Sequence, residues 1–274
     1  MQPQKYMRIL TSTTVIVFGC LFLYHTVSSQ GENDKPSIAN PAVLERGKLM
    51  YNTACSPCHG SDGAGDGPIA FNLKTKPRDF TKGVFKNRST ASGQLPTDYD
   101  LYRNVTSGFH NTAMPAFQYM SPKDRWALVQ YIKTFSNRFS DSTQYPLEVI
   151  TIGQPPPPSL ASLEKGRGMY IKMGCWKCHG ISGEGDGPSS GTQVDDFDNP
   201  IKTTDLTNPS EYKFARSVID IYRIFSTGLN GTPMPSYVDA ANEEERWHLA
   251  NYVWSLQNKD QYQDGKELKD IEEK

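Results

Sequence analysis

The sequence predicts an all-α protein made of two similar domains in tandem, and three observations support this. A six-residue stretch, Cys55–Gly60, recurs 120 positions later as Cys175–Gly180. Shorter matches follow both copies in the same order. Each copy then ends in an amphipathic segment, Asp124–Phe135 or Glu243–Leu256, whose apolar residues lie three to four positions apart, as a core-facing helix requires.

The repeated stretch has the pattern Cys-x-x-Cys-His, which is the attachment signature of a c-type haem. On one turn of helix, the two thiols can reach the two vinyl groups on one edge of a porphyrin and form thioether bonds. The imidazole that follows can then bind the iron. The motifs therefore predict two covalently attached haem c groups. The predicted attachment and iron-binding residues are Cys55, Cys58 and His59 in the first copy, and Cys175, Cys178 and His179 in the second.

Two other uses of Cys-x-x-Cys fit this chain less well. A structural zinc site would combine both cysteine pairs as four thiolates. The pairs lie 120 positions apart, however, and zinc does not need the adjacent histidines. A thioredoxin-like redox pair is expected near a βαβ pattern, which this chain lacks.

Composition agrees with a protein whose core is partly a cofactor. Counting Gly and leaving out Tyr, about 39% of the 274 residues are apolar, below the usual 45–50%. Four of the five cysteines belong to the two motifs, so no disulfide framework remains. Residues 34–160 hold 14 Lys and Arg against 10 Asp and Glu, whereas residues 161–274 hold 13 against 19. The opposite net charges, +4 and −6, predict that the two domains dock to different partners.

The N-terminus resembles an export leader. Lys5 and Arg8 precede an uncharged run from Ile9 to Val27, and a cleavage site could follow Ser29. The 19-residue run would measure about 28 Å as a helix, so an uncleaved membrane anchor through residues 9–27 is the alternative. Either way, residues 1–30 predict that the body of the protein is exported to the periplasm, soluble or tethered.

Helical patterns lead into both motifs and contain glycines at matching positions, Gly47 and Gly166. A helical glycine costs about 1 kcal/mol, so its presence in both copies indicates a close helix crossing; the alternative is an incidental surface glycine. Glycine-rich loops, 63–68 and 183–188, follow the motifs. Tight turns explain these loops better than phosphate binding does, because no Lys-Ser/Thr follows and no strand precedes them.

The two copies differ in length at two places. Asp79-Phe80-Thr81 matches Asp205-Leu206-Thr207 at a shift of 126, whereas the segments beginning at Asp100 and Asp220 match at 120. These matches delimit domain one at 41–138 and domain two at 161–258. Between them, 139–160 reads as a proline-rich linker that could also bind a proline-reading module. Residues 259–274 read as a charged tail.

Together, residues 41–258 resemble tandem di-haem class I cytochromes c. The resemblance rests on the two Cys-x-x-Cys-His motifs, two downstream Met-Pro pairs and the repeat order. It implies an N-terminal helix that crosses a C-terminal helix, with haem filling the space between them. In that family a loop proline carbonyl accepts the hydrogen bond of the haem histidine. Pro68 and Pro188, each nine residues after its histidine, are the expected acceptors here.

Met114 and Met234 are the predicted sixth iron ligands. Each lies 55 residues after its haem histidine, in a Thr-x-Met-Pro setting, despite the length differences between the copies. A methionine is more often core filler. In the first copy His110 and Met120 are the competing candidates, but their counterparts at the 120 shift, Asn230 and Ala240, are not ligands.

With two axial ligands the iron has no vacant position, which favours a carrier of single electrons between respiratory redox proteins over an enzyme. Two alternatives remain at this point. The protein could be the electron-transfer subunit of a larger oxidoreductase complex, or a di-haem peroxidase, which would need a displaceable sixth ligand. The sequence predicts redox protein partners, no nucleic acid and no small-molecule substrate.

Overall fold

The structure, a computed structural model, describes residues 40–257 of the chain. Within this range the chain forms two sets of four α-helices, which we name the first repeat and the second repeat. The first repeat comprises α1 (Pro41–Ala54), α2 (Ser56–His59), α3 (Asp98–Ser107) and α4 (Pro122–Lys133). The second comprises α5 (Leu160–Lys172), α6 (Trp176–His179), α7 (Val218–Thr227) and α8 (Glu243–Gln257).

The expected all-α class is confirmed. No strand forms between residues 40 and 257, and the β-structure described there consists of two isolated bridges, Thr90 with Val149 and Val194 with Pro200. The long helices begin where polar caps precede them. Thr97 and Asp100 form a capping box at the start of α3, and the Ser217 hydroxyl accepts from the Asp220 amide at the start of α7.

In each repeat the first long helix crosses the last one at a glycine. Helix α1 packs on α4, and α5 packs on α8. A Cβ atom on Gly47 would overlap the carbonyl oxygen of Ala127, and one on Gly166 would overlap that of His248. The close crossing predicted from the two glycines is therefore confirmed at both positions.

A buried tyrosine connects each crossing to its Cys-x-x-Cys-His turn. Tyr51 is fully buried and donates to the carbonyl of Gly60 at 2.7 Å. Tyr170 does the same to Gly180 at 2.6 Å. The motif turn is thus held against the long helix before it, and each repeat keeps its own apolar core around that tyrosine.

The length differences correspond to two local structures. The six residues that the second repeat gains before Asp205 contribute to a turn at 194–200, where the Asp195 carboxylate accepts from the amides of Phe197 and Asn199. The first repeat is longer between Phe80 and Asp100, and this longer segment packs against residues 139–150. Ala91 N–H donates to the carbonyl of Glu148, so the beginning of the predicted linker packs on the first repeat.

Several expectations concern parts of the chain beyond this range. The leader at 1–30, with its membrane-anchor alternative at 9–27, and the tail at 259–274 lie outside the described residues. Among the helices of residues 40–257, none is long and apolar enough to cross a membrane.

The crossing generates a first prediction. Gly166→Ala should lower the free energy of unfolding by about 1–3 kcal/mol, because the new methyl group forces α5 away from the His248 carbonyl. Gly168 lies on the same helix with no atom near its Cβ position, so Gly168→Ala should raise stability by about 1 kcal/mol through helix propensity. Guanidinium unfolding followed by circular dichroism measures both. Equal effects of the two substitutions would contradict a tight crossing.

Candidate haem-binding sites

Each Cys-x-x-Cys-His motif forms a single helical turn whose carbonyls are covered by the glycine loop that follows. The amide of Gly65 donates to the carbonyl of His59 at 2.8 Å, and Gly185 donates to His179 at the same distance. A Cβ on Gly67 would overlap the Pro57 carbonyl, which explains the requirement for glycine. Because carbonyls of the motif turn occupy these loop amides, the loop is a cap on the motif and not a phosphate site.

The histidines are oriented by backbone carbonyls, but not by those expected. His59 Nδ1 lies 2.9 Å from the carbonyl oxygen of Arg78, and His179 Nδ1 lies 3.0 Å from that of Thr204. A carbonyl can only accept, so Nδ1 carries the proton and Nε2 is left with its lone pair. This is the tautomer that can bind iron through Nε2. The expectation that Pro68 and Pro188 supply the acceptor is wrong.

The physical reason lies in the path of the loop. After Gly67 the chain turns back along the motif helix, and Ile69 N–H donates to the Pro57 carbonyl. The acceptor carbonyl comes instead from the segment ten residues later, which is pinned where Phe80 N–H donates to Gly63 at 2.7 Å. The sequence did contain a signal for this. The triplets Asp79–Thr81 and Asp205–Thr207, which follow the two acceptors directly, repeat between the copies.

Burial shapes the chemistry of the motif side chains. It lowers the pKa of His59 and of His179, which favours the neutral imidazole that can act as a ligand. Burial, together with the neighbouring Cys58, raises the pKa of Cys55 to about 12, and burial raises that of Cys175 to about 11. Such surroundings disfavour thiolates and suit neutral thioether sulfur. Between residues 40 and 257 no three His, Cys, Asp or Glu side chains cluster as a metal site.

The loops that carry Met114 and Met234 have the same construction. Phe109 N–H donates to the Met114 carbonyl at 3.1 Å, and Leu229 N–H donates to Met234 at 3.0 Å. The hydroxyl of Thr112 accepts from the Met114 amide, as that of Thr232 does from Met234. The repeated Thr-x-Met-Pro pattern is therefore a turn that presents the methionine.

All the predicted ligands line one continuous cavity of about 450 Å³ that extends through both repeats. Its walls are mostly apolar and include core residues of both repeats. Among the competing ligand candidates, His110 and Met120 are not part of the lining. The predicted site residues that do line it are Cys55, Cys58, His59, Met114, Cys175, Cys178, His179 and Met234.

Five cations line the cavity, none of them identified from the sequence, and three of these are largely desolvated. Arg78, Lys86 and Lys213 line the cavity, and burial lowers the pKa of each, that of Lys86 to about 8. Arg78 also contributes to the shift of Lys86, whereas Asp195 opposes it. None of the three forms an ion pair within the described part of the chain. Partly desolvated cations that form no close ion pair suit a ligand that carries anionic groups, as haem does in its propionates.

The residues present therefore fit two haem groups. Each repeat provides two cysteines for thioether bonds, an imidazole with its Nε2 available and a thioether from the opposite loop. The shared wall adds cations for the propionates. When bound, haem supplies an iron centre that can hold or release one electron.

Comparisons with known proteins agree with this arrangement. The family model described as "Cytochrome C oxidase, cbb3-type, subunit III" matches residues 42–132, and the model "Cytochrome c" matches residues 163–257. No curated protein gives a significant match. A solved chain from the Kuenenia stuttgartiensis reducing HAO-like protein complex is 42% identical. The match covers 77% of this chain and 96% of that one, with a TM-score of 0.74.

The two family matches fall on the two repeats separately, one on each Cys-x-x-Cys-His motif. The solved relative is similar over nearly its whole length, so the pair of repeats is a shared unit. Cytochrome c domains bind haem covalently, and two such domains hold two haem c groups. The chain belongs to the tandem di-haem c-type cytochromes and is a haem electron-transfer protein.

Proposed function

We propose that this protein is an exported carrier that passes single electrons between two redox proteins through its pair of haems. The observation that supports this most strongly is the continuous cavity, which both sets of predicted ligands line. Because both sets of residues line one cavity, two bound haems would let an electron that enters at one repeat pass to the other within the protein. The two repeats can then contact different redox partners.

The proposed axial ligands are His59 with Met114, and His179 with Met234. Support comes from the orientation of the two imidazoles and from the methionine turns on the same cavity. Thioether sulfur favours ferrous iron, so this ligation gives high reduction potentials. With both axial positions filled, substrate has no place at the iron, which argues for a carrier and against a peroxidase.

A second candidate is an electron-transfer subunit of a larger oxidoreductase complex. It is favoured by the 42% identity to a chain whose complex is titled a reducing HAO-like protein complex. A subunit and a shuttle use the same two haems, and they differ in how long the partner stays bound. In both cases the partners are redox proteins, with no nucleic acid and no small-molecule substrate.

Export remains part of the proposal and rests on the N-terminal sequence. Lys5 and Arg8, followed by the apolar run Ile9–Val27, have the order of a secretory leader. The proposed location is the periplasm, where the protein is either free or tethered through residues 9–27.

The axial ligation can be tested by substitution. Met114→Leu and Met234→Leu should each remove one of two Met–iron charge-transfer bands and lower the potential of one haem, since the thioether that favours ferrous iron is lost. Visible spectra and a spectroelectrochemical titration measure both effects. Met120→Leu and Met173→Leu are matched controls, because these methionines pack beside the same cores without lining the cavity. An unchanged spectrum in either ligand variant would show that its methionine is not bound to iron.

The two-ended carrier makes a separate prediction. Cys178→Ala combined with His179→Ala should leave one covalent haem, seen as a mass lower by one haem and a chain that takes up one electron instead of two. In stopped-flow experiments with a donor and an acceptor protein, reduction by one partner should continue while delivery to the other slows at least about tenfold. Peroxide turnover by the wild-type protein, or unchanged delivery by the variant, would argue against the carrier.

The subunit alternative predicts a stable assembly. If it holds, the tagged full-length protein should co-elute with a larger haem protein in fixed ratio at both low and high salt. A transient carrier should lose its partner as salt rises, because surface electrostatics are screened within about 8 Å at physiological ionic strength.

A further inference from the structure

We infer that Arg88 of the first repeat is a positioning residue for the Met234 loop of the second repeat, so that one repeat holds the axial-ligand loop of the other. The inference rests on the proposed role of Met234 as an iron ligand. It adds a device that couples the two haem sites through the protein.

Arg88 is almost completely buried, with 1% of its surface exposed, and it reaches across to the end of α7. Its Nη2 donates to the carbonyl of Thr227 at 2.6 Å, and its Nη1 lies 3.4 Å from that of Gly228. Within its own repeat, the same guanidinium donates to Ala91. Carbonyls at a helix C-terminus lack helical partners and carry partial negative charge, so a guanidinium is a strong cap there.

The end of α7 is also the beginning of the methionine loop. Gly228 has a φ of 67°, which turns the chain out of the helix. The loop then closes back on itself, since Leu229 N–H donates to Met234 and Tyr237 N–H donates to Phe225 at 2.7 Å. A Cβ on Gly228 would approach the Ser236 nitrogen to 2.7 Å, so the two ends of the loop touch. Movement of the helix end would therefore carry Met234 with it.

A second tie fixes the same loop to the same segment of the first repeat. The Asn230 side chain accepts from the amide of Gly93 at 2.9 Å and donates to the carbonyl of Gln94 at 3.2 Å. Its counterpart in the first repeat is His110. Residues 88–94 thus hold the loop at both its helix end and its outer turn.

The reverse contact is weaker. Arg216 of the second repeat donates to the carbonyl of Ser107, at the end of α3, at 3.0 Å, but its side chain is exposed. The stretch from Asp79 to Asp100 spans 21 positions, whereas Asp205 to Asp220 spans 15. The longer segment contains residues 88–94. The longer segment of the first repeat is therefore the one that contacts the second repeat.

The test uses full-length protein with both haems. Arg88→Met should increase the rate at which imidazole replaces Met234 at the ferric second haem by about tenfold or more, because a buried hydrogen bond to a charged group is lost. The charge-transfer band of the second haem should weaken, whereas the exchange rate at the first haem should stay the same. Met114→Leu and Met234→Leu assign the signals to each haem.

Arg125→Met is the matched control. Arg125 is also a buried arginine of the first repeat, but its guanidinium donates to Thr106 of its own repeat at 2.6 Å. This control should leave the second haem unchanged. If Arg88→Met does not fold, Asn230→Ala tests the same inference. Imidazole should then replace the methionine faster at the second haem only.

The inference is overturned if exchange at the second haem is unchanged, or if both haems change equally. These outcomes are separable from failure of the ligand assignment. If Met234→Leu leaves the charge-transfer band intact, Met234 is not the ligand. If it removes the band while Arg88→Met and Asn230→Ala have no effect, only the positioning role fails.

Discussion

One close helix crossing in each repeat determines where the groups around the cavity can lie. Gly47 lets α1 touch the backbone of α4, and the chain leaves α1 directly into the Cys-x-x-Cys-His turn. Tyr51, four residues after the glycine, then donates a hydrogen bond to the Gly60 carbonyl and so holds the motif against α1. Because α3 also packs on α4, the motif and the methionine loop that follows α3 are both positioned from the same helix. A larger residue at the crossing would move one wall of the cavity relative to the other.

The features that could be predicted from the sequence are those carried by local pattern. The two motifs identify the cofactor because thioether attachment needs two thiols on one turn and iron binding needs an imidazole beside them, and the five-residue pattern shows both. The glycine crossing follows from the recurrence of Gly47 as Gly166, and the closing helices follow from the spacing of their apolar residues. The methionine turns could be found because Thr-x-Met-Pro recurs at the same spacing from the histidine.

What could not be predicted depends on the path of the chain between patterns. Counting nine residues from His59 to Pro68 assumes a loop that stays beside the imidazole, whereas this loop turns back along α2 and a later segment delivers the Arg78 carbonyl. The Arg88 contacts link residues about 140 positions apart in the chain. Nothing in the local sequence of either partner marks them. The length difference between the repeats was visible in the sequence. That the longer segment of the first repeat contacts the second repeat could be seen only in the folded structure.

The structure also changes what the charge counts mean for docking. Residues 34–160 carry a net charge of +4, but Arg78, Lys86 and Arg88 are among the cations counted, and all three are largely desolvated. Arg78 and Lys86 face the cavity, whereas Arg88 faces the end of α7. Arg125 and Lys133 are buried as well, as is Asp100, so the surface of the first half carries less net positive charge than the count of +4 indicates.

A charge steers a partner mainly through the solvent in front of it, so cations that face the cavity or the other repeat contribute little to docking. The turn at 194–200 supports this view, because its carboxylates, Asp195 and Asp196, oppose the burial effect on the pKa of Arg78 across the repeat boundary. The insertion in the second repeat therefore places negative charge near the first repeat, and the longer segment of the first repeat places Arg88 on the second. Some of the charges counted in the first half therefore act within the protein, and the first half presents a weaker positive field to a partner than its composition indicates.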